Sequence, residues 1–175
     1  MFWQEDDKPK AFKVPDDIVD LVFDIQCREL PVDHAQALSR ALLEHVPELA
    51  RDERLGMHTI HLAGSQNGWE RPDPALGQRL ILSRRTKLTL RVAAELAERV
   101  QQTLDGVELD VDGCRLVICK AKRKPLSSQG TIFSRYVVLE DGEDSDENAF
   151  LQRIASHLGE RGVRVKKALC GKTAQ

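Results

Sequence analysis

Five histidines are the side chains of this sequence best suited to move protons near neutral pH: His34, His45, His58, His61 and His157. His34 has the most suggestive setting. It follows Asp33 at the entrance of a helical run, where free backbone N–H groups and the helix dipole attract a phosphate and disfavour a protonated ring. Taken alone, a histidine there reads more readily as a helix cap with no chemistry. His58 and His61 form an H-x-x-H pair in a short strand-like stretch; residues three apart on a strand point to opposite faces, so the spacing does not suit a shared metal. His45 lies about 11 residues beyond His34, roughly 16 Å along a helix axis, too far to act on the same phosphate. For His45 and His157 a structural role is expected.

Basic residues form a second group. The turn-and-strand run Arg84-Arg85-Thr86-Lys87-Leu88-Thr89-Leu90-Arg91 puts Arg85, Lys87 and Arg91 on one strand parity, opposite Leu88 and Leu90. Lys120, Lys122, Arg123 and Lys124 form another cluster beside Ser127 and Ser128, and Arg135 with the lone Tyr136 follows. Without context such runs are usually solvated faces. Local stripes of this kind nonetheless matter more for contact with a nucleic acid than the formal net charge of −2.

These residues must be placed by a fold. The spacing predicts a strand over Ile18–Ile25, then a turn at Leu30-Pro31-Val32-Asp33 with Asp33 as N-cap and Gln36 completing a capping-box-like pair. A helix with apolar positions at Ala35, Leu38, Leu42 and Val46 ends near Pro47. Strands are expected at Met57–Leu62, Gln78–Ser83 and Lys87–Val92, with a Gly- and Pro-containing loop carrying Trp69 between the first two. A second helix is expected over Ala93–Leu104, and a hairpin over Val107–Lys120 turning at Asp112-Gly113. The order β-α-β-β-α-β is that of a ferredoxin-like domain. A polar linker, Lys122–Gly130, separates it from a second run: a strand at Thr131–Leu139, a helix at Asp144–Leu158 and a basic strand at Val163–Leu169. The expected class is therefore α+β, with an acidic tail over residues 1–17, a ferredoxin-like domain over 18–121 and a partial second ferredoxin-like unit over 131–175.

Composition sets the outer bounds. The chain has 175 residues, 41% hydrophobic and 31% charged, which is globular usage. No apolar run approaches the roughly 20 residues that cross a bilayer, and the acidic start lacks the apolar segment of a secretory signal, so a cytoplasmic location without a membrane partner is expected. Cys27, Cys114, Cys119 and Cys170 make no C-x-x-C pair and are expected as reduced thiols.

The ordered phrases carry a resemblance. Leu30-Pro31-Val32-Asp33-His34 leading into a helix, Val46-Pro47-Glu48-Leu49, Gly56-Met57-His58, the run from Leu82 to Arg91, Leu109 to Leu116, Ser134-Arg135-Tyr136-Val137-Val138 and Leu158 to Val163 follow one another as in a short bacterial subfamily of the CRISPR repeat-processing endoribonucleases. The likeness runs from about residue 18 to 165. It implies two tandem ferredoxin-like domains and metal-independent, cofactor-free cutting of CRISPR precursor RNA within its repeats. It implies His34 and His58 as catalytic positions. It implies an RNA surface made by Arg84, Arg85, Lys87, Arg91, Lys120, Lys122, Arg123, Lys124, Ser127 and Arg135. The family's glycine-rich basic C-terminal loop has no counterpart after Lys172, so the expected partners are repeat RNA and either other CRISPR-associated effector subunits or a second copy. Two alternatives stay open on the residues: a noncatalytic RNA-binding subunit of an effector complex, and an unrelated ferredoxin-like interaction domain.

Overall fold

In β1 (Ile18–Gln26) alternate side chains, Val19, Leu21, Phe23 and Ile25, are buried, while Asp20, Val22, Asp24 and Gln26 face the other way. That strand is the centre of a computed structural model describing residues 13–61, 72–131 and 146–170. The chain divides into two units, Met1–Gln129 and Gly130–Gln175.

Within the first unit, β1 pairs antiparallel with β5 on one side and β7 on the other. The described elements in order are β2 (Glu29–Pro31), α1 (Ala35–His45), a 3-10 turn (Pro47–Arg51), β3 (Gly56–His58), a 3-10 turn (Pro74–Leu76), β4 (Arg79–Ile81), β5 (Lys87–Ala93), α2 (Ala97–Leu104), β6 (Glu108–Val111) and β7 (Cys114–Pro125). The five-stranded sheet runs β3-β5-β1-β7-β6, antiparallel throughout. With β6 set aside, β1-α1-β3-β5-α2-β7 is a β-α-β-β-α-β order, so the mixed α+β class is met and the arrangement is compatible with a ferredoxin-like fold.

Both helices use one stripe. Ala37, Leu38, Ala41 and Leu42 of α1 and Ala97, Val100 and Leu104 of α2 join Leu21, Phe23, Leu88, Leu90, Leu116 and Ile118 in a single core. Fully burying the Leu, Ile, Val and Phe side chains among them stabilises by about 1.5–3 kcal/mol each. The helices thereby cover one face of the sheet, and the face carrying Asp20, Val22 and Asp24 bears no helix of this unit.

Several boundaries differ from the sequence expectation. Helix α2 starts at Ala97, because Ala93 is still in β5 opposite Ile18 and the next backbone N–H, that of Ala94, bonds Asp17 O. Lys122–Pro125 is not linker: it is the end of β7, paired with Val19–Val22 of β1. Leu30-Pro31, expected as a turn, belongs to β2, which pairs with β4 in a separate two-stranded sheet that tolerates a proline at its end. The Asp112-Gly113 turn is as expected, both residues having positive φ (55° and 78°) and the Gly113 N–H bonding the Asp110 carboxylate.

In the second unit, Asp146 accepts N–H bonds from Asn148 and Ala149 and opens α3 (Glu147–Glu160). Val163–Leu169, expected as a strand, has no ladder among the described residues. The expected strand Thr131–Leu139, with Arg135 and Tyr136, falls outside the described residues beyond Thr131, and so does the part of the expected loop, residues 62–71, that carries Trp69. No helix of the described chain is long and apolar enough to cross a membrane.

Candidate functional site

His34, rather than Asp33, is the N-cap of α1, with helical dihedrals of −85° and −8° and no side-chain cap bond; its carbonyl accepts the Leu38 N–H. The imidazole turns back into the protein and is 3% exposed. Its Nε2 accepts the backbone N–H of Ile60 at 3.0 Å, which leaves the ring proton on Nδ1, 3.0 Å from the Pro31 carbonyl it donates to. Both ring nitrogens are thus engaged in a neutral tautomer, and in this arrangement neither a lone pair nor a proton faces solvent.

The second histidine expected at the site is built differently. His58 ends β3 opposite Thr89 of β5, exposed and on the helix-free face of the sheet. Ile60, two residues on, is 1% exposed: its side chain enters the core while its N–H is held by His34. One side chain therefore anchors the short segment that carries both His58 and His61. The ring of His61 lies 2.9 Å from the Thr59 hydroxyl through Nε2. Among the described residues no three histidine, cysteine or carboxylate side chains converge as a metal site.

The basic residues do not form one stripe. Arg84 and Arg85 lie in the exposed turn before β5, closed by the Thr86 N–H on Ser83 O, so Arg85 precedes the strand whose parity it is expected to share with Lys87 and Arg91. Lys87 and Arg91 do share the helix-free face, but each already faces a carboxylate of β1. Arg91, opposite Asp20, makes a two-pronged contact, Nε and Nη2 donating to the two carboxylate oxygens at 2.9 and 3.1 Å. Lys87, opposite Asp24, is bonded to that carboxylate. The Lys87 hydrogen bond and charge, with Lys122 adding more weakly, hold the Asp24 carboxyl below the usual carboxylate range. The Asp20 hydrogen bond similarly raises the Arg91 guanidinium.

On the other side of β1, Lys124 is opposite Asp20 and Lys122 opposite Val22. A register shift between Phe23 and Ile25 sets Cys119 and Lys120 together against Asp24, as a β-bulge does. Arg123 is opposite buried Leu21, so it points to the helix-bearing side, exposed near the strand end. Ser127 is exposed, and its hydroxyl accepts the Gln129 N–H at 3.2 Å. Arg135 is outside the described residues.

Sequence reasoning missed two features of this site. The His34–Ile60 bond joins positions 26 residues apart and leaves no local trace. Asp20 and Asp24 did leave one: they share the outward parity of β1, in IVDLVFDIQ, but the expectation counted only cations.

Comparison with known proteins gives one family. A family model described as Cas6, Cas6 Crispr, matches residues 19–175. No curated protein matches the chain.

Proposed function

The chain belongs to the Cas6 family of CRISPR-associated repeat-RNA endoribonucleases, and from that premise we propose that it cuts CRISPR precursor RNA within its repeats without a metal ion. A CRISPR-associated role in processing repeat RNA comes with the family. The observation that carries the finer reading is an exposed histidine, His58, set on a helix-free sheet face among cations of two strands.

In such a reaction the 2′-hydroxyl oxygen attacks the adjacent phosphorus as its proton passes to a base. The P–O5′ bond breaks, a proton is delivered to the leaving 5′-oxygen, and a 2′,3′-cyclic phosphate and a 5′-hydroxyl result. RNA supplies its own nucleophile, so the protein needs only proton transfer and charge stabilisation. We assign one of the two proton transfers to His58, which is open to substrate, and to His34 the positioning of the 58–61 segment through Ile60. Lys120, Lys122, Lys124, Arg84 and Arg85 attract the phosphates, with Ser127 and Arg123 at the margin. Lys87 and Arg91 lie on the same face, their charge partly met by Asp24 and Asp20. Residues 131–175 are proposed as part of a second ferredoxin-like domain, to which Arg135 would add an RNA contact. Repeat RNA is the proposed partner, with effector subunits or a second copy of the chain beside it, in the cytoplasm.

The engaged ring of His34 favours a second reading, a noncatalytic subunit that holds processed RNA. Incubating the protein with its repeat RNA in EDTA separates the two. Cleavage products ending in a 2′,3′-cyclic phosphate support the enzyme. Retained, uncut RNA at saturating protein supports the binding subunit, and cutting that EDTA abolishes overturns metal independence.

A further inference from the structure

The helix-free face alternates in charge across three strands. Arg91 and Lys87 on β5 are bonded to Asp20 and Asp24 on β1, while Lys120, Lys122 and Lys124 on β7 make no ion pair among the described residues. The two β1 carboxylates are not equivalent. Asp20 is 17% exposed and held by two charge-assisted bonds; displacing it with a phosphate would leave a carboxylate poorly solvated, so Arg91 stays with it. Asp24 is 57% exposed and its partner Lys87 40%, a pair that water and salt weaken and a phosphate can challenge.

We infer that Asp20 and Asp24 are specificity-determining residues, built-in counter-ions that screen the β5 cations and confine the RNA backbone to the β7 lysines. The inference rests on the RNA-processing reading above. A strand held by charge alone meets a carboxylate row as soon as it strays from β7 toward β5, so nonspecific binding is weakened. An RNA whose shape brings hydrogen-bond donors over β1, base amino groups or 2′-hydroxyls, gives those carboxylates a partner that a phosphate cannot. Discrimination here comes from a repulsive element built against the wrong ligand.

The test compares wild type with Asp24→Asn, Lys122→Ala and Glu98→Gln. Glu98 is an exposed carboxylate on α2, the helix-bearing side, and reports the generic effect of one lost negative charge. Fluorescence anisotropy across a salt titration measures binding to the repeat RNA and to an unrelated single-stranded RNA of equal length. Asp24→Asn is expected to bind the unrelated RNA several-fold more tightly, with a salt slope steeper by about 0.7 for one added phosphate contact. Its preference for the repeat falls accordingly. Lys122→Ala weakens both complexes, and Glu98→Gln changes neither appreciably. Unchanged or weaker binding of unrelated RNA by Asp24→Asn overturns the inference, as does an equal gain in Glu98→Gln. A wild type that binds both RNAs equally removes the repeat selectivity of the functional reading, and the unrelated-RNA arm still decides whether Asp24 screens charge. A wild type that binds neither overturns both.

Discussion

His34 and His58 have the same side chain and opposite surroundings, and their substitutions should separate cleanly. Replacing His34 with Ala leaves the Ile60 N–H and the Pro31 carbonyl without their partner in a nearly buried site, a loss of about 1–3 kcal/mol. Thermal denaturation of His34→Ala should show that loss as a lower Tm. His58→Ala removes an exposed ring with no such bonds; its Tm should match wild type while repeat-RNA cleavage in EDTA is lost and binding is largely retained, because proton transfer acts in the transition state. A His58→Ala protein that cuts at the wild-type rate would return the proton-transfer role to another group. A second residue-scale expectation concerns acid. Asp52, whose side chain is 8% exposed, has its carboxyl held below the ordinary value of 3.8, first by the Arg54 backbone N–H and then by the Arg54 side chain. Asp24 and Glu108 are lowered likewise by Lys87 and Arg115. A folded-state pKa below the unfolded one contributes stability that is fully present above the unfolded value and is lost as pH falls through the folded one. Chemical denaturation should therefore give a plateau above roughly pH 5 and a decline below about pH 4, shallower in Asp52→Asn. A decline that is equally steep in Asp52→Asn would remove that carboxylate from the account.

At the scale of elements, the placement of His58 depends on a three-residue edge strand, and Gly56 is what lets it close on β5. A Cβ built at Gly56 would lie 3.2 Å from the Cβ of Arg91, its partner in the ladder. Gly56→Val should weaken the β3–β5 pairing and lower hydrogen-exchange protection of the β3 amides while β1–β5 protection persists. Cleavage should fall with it, since His58 loses its station opposite Thr89. Unchanged β3 protection would mean that the strand yields enough to admit the side chain. The same edge shows what could be read in advance. Strands β1 and β5 were legible because each buries one face and alternates accordingly, and the β6–β7 turn because Asp112-Gly113 supplies two positive φ values. Strand β2 was not, since its pairing with β4 is non-local and three residues ending in proline carry no period. The end of β7 was misread as linker for a related reason: past Ala121 its residues are mostly exposed, and only the ladder to β1 keeps them extended. Histidines at a helix entrance and a strand end were legible by type and spacing. Which ring is engaged and which is open was not, because that depends on a bond from α1 to a segment 26 residues away.

At the scale of the molecule, the hydrophobic core formed by the described residues lies within the first unit. The buried cluster runs from Val19 to Ile118, whereas α3 has no fully buried residue, its Phe150, Leu151, Ile154 and Leu158 being half-covered. A core of this kind supports cooperative unfolding on its own, while a segment the size of residues 130–175 sits near the limit of about 40–60 residues at which a chain buries too little surface to be independently stable. Residues 1–129 expressed alone should therefore unfold in one cooperative transition within a few degrees of the full chain, measured by circular dichroism. Residues 130–175 alone should show little helix, because α3 has a good N-cap in Asp146 but 14 residues of helix are marginal in water without tertiary packing. The first unit also retains Lys120, Lys122, Lys124, Arg84 and Arg85, so its RNA binding should keep a salt dependence close to that of the full chain. A fragment 1–129 that fails to fold, or a fragment 130–175 that melts cooperatively, would show that stability is distributed differently from the buried core. A folded 1–129 without salt-dependent RNA affinity would move the principal phosphate contacts to residues 130–175, where the second unit supplies Arg153, Arg161, Arg164, Lys166 and Lys167.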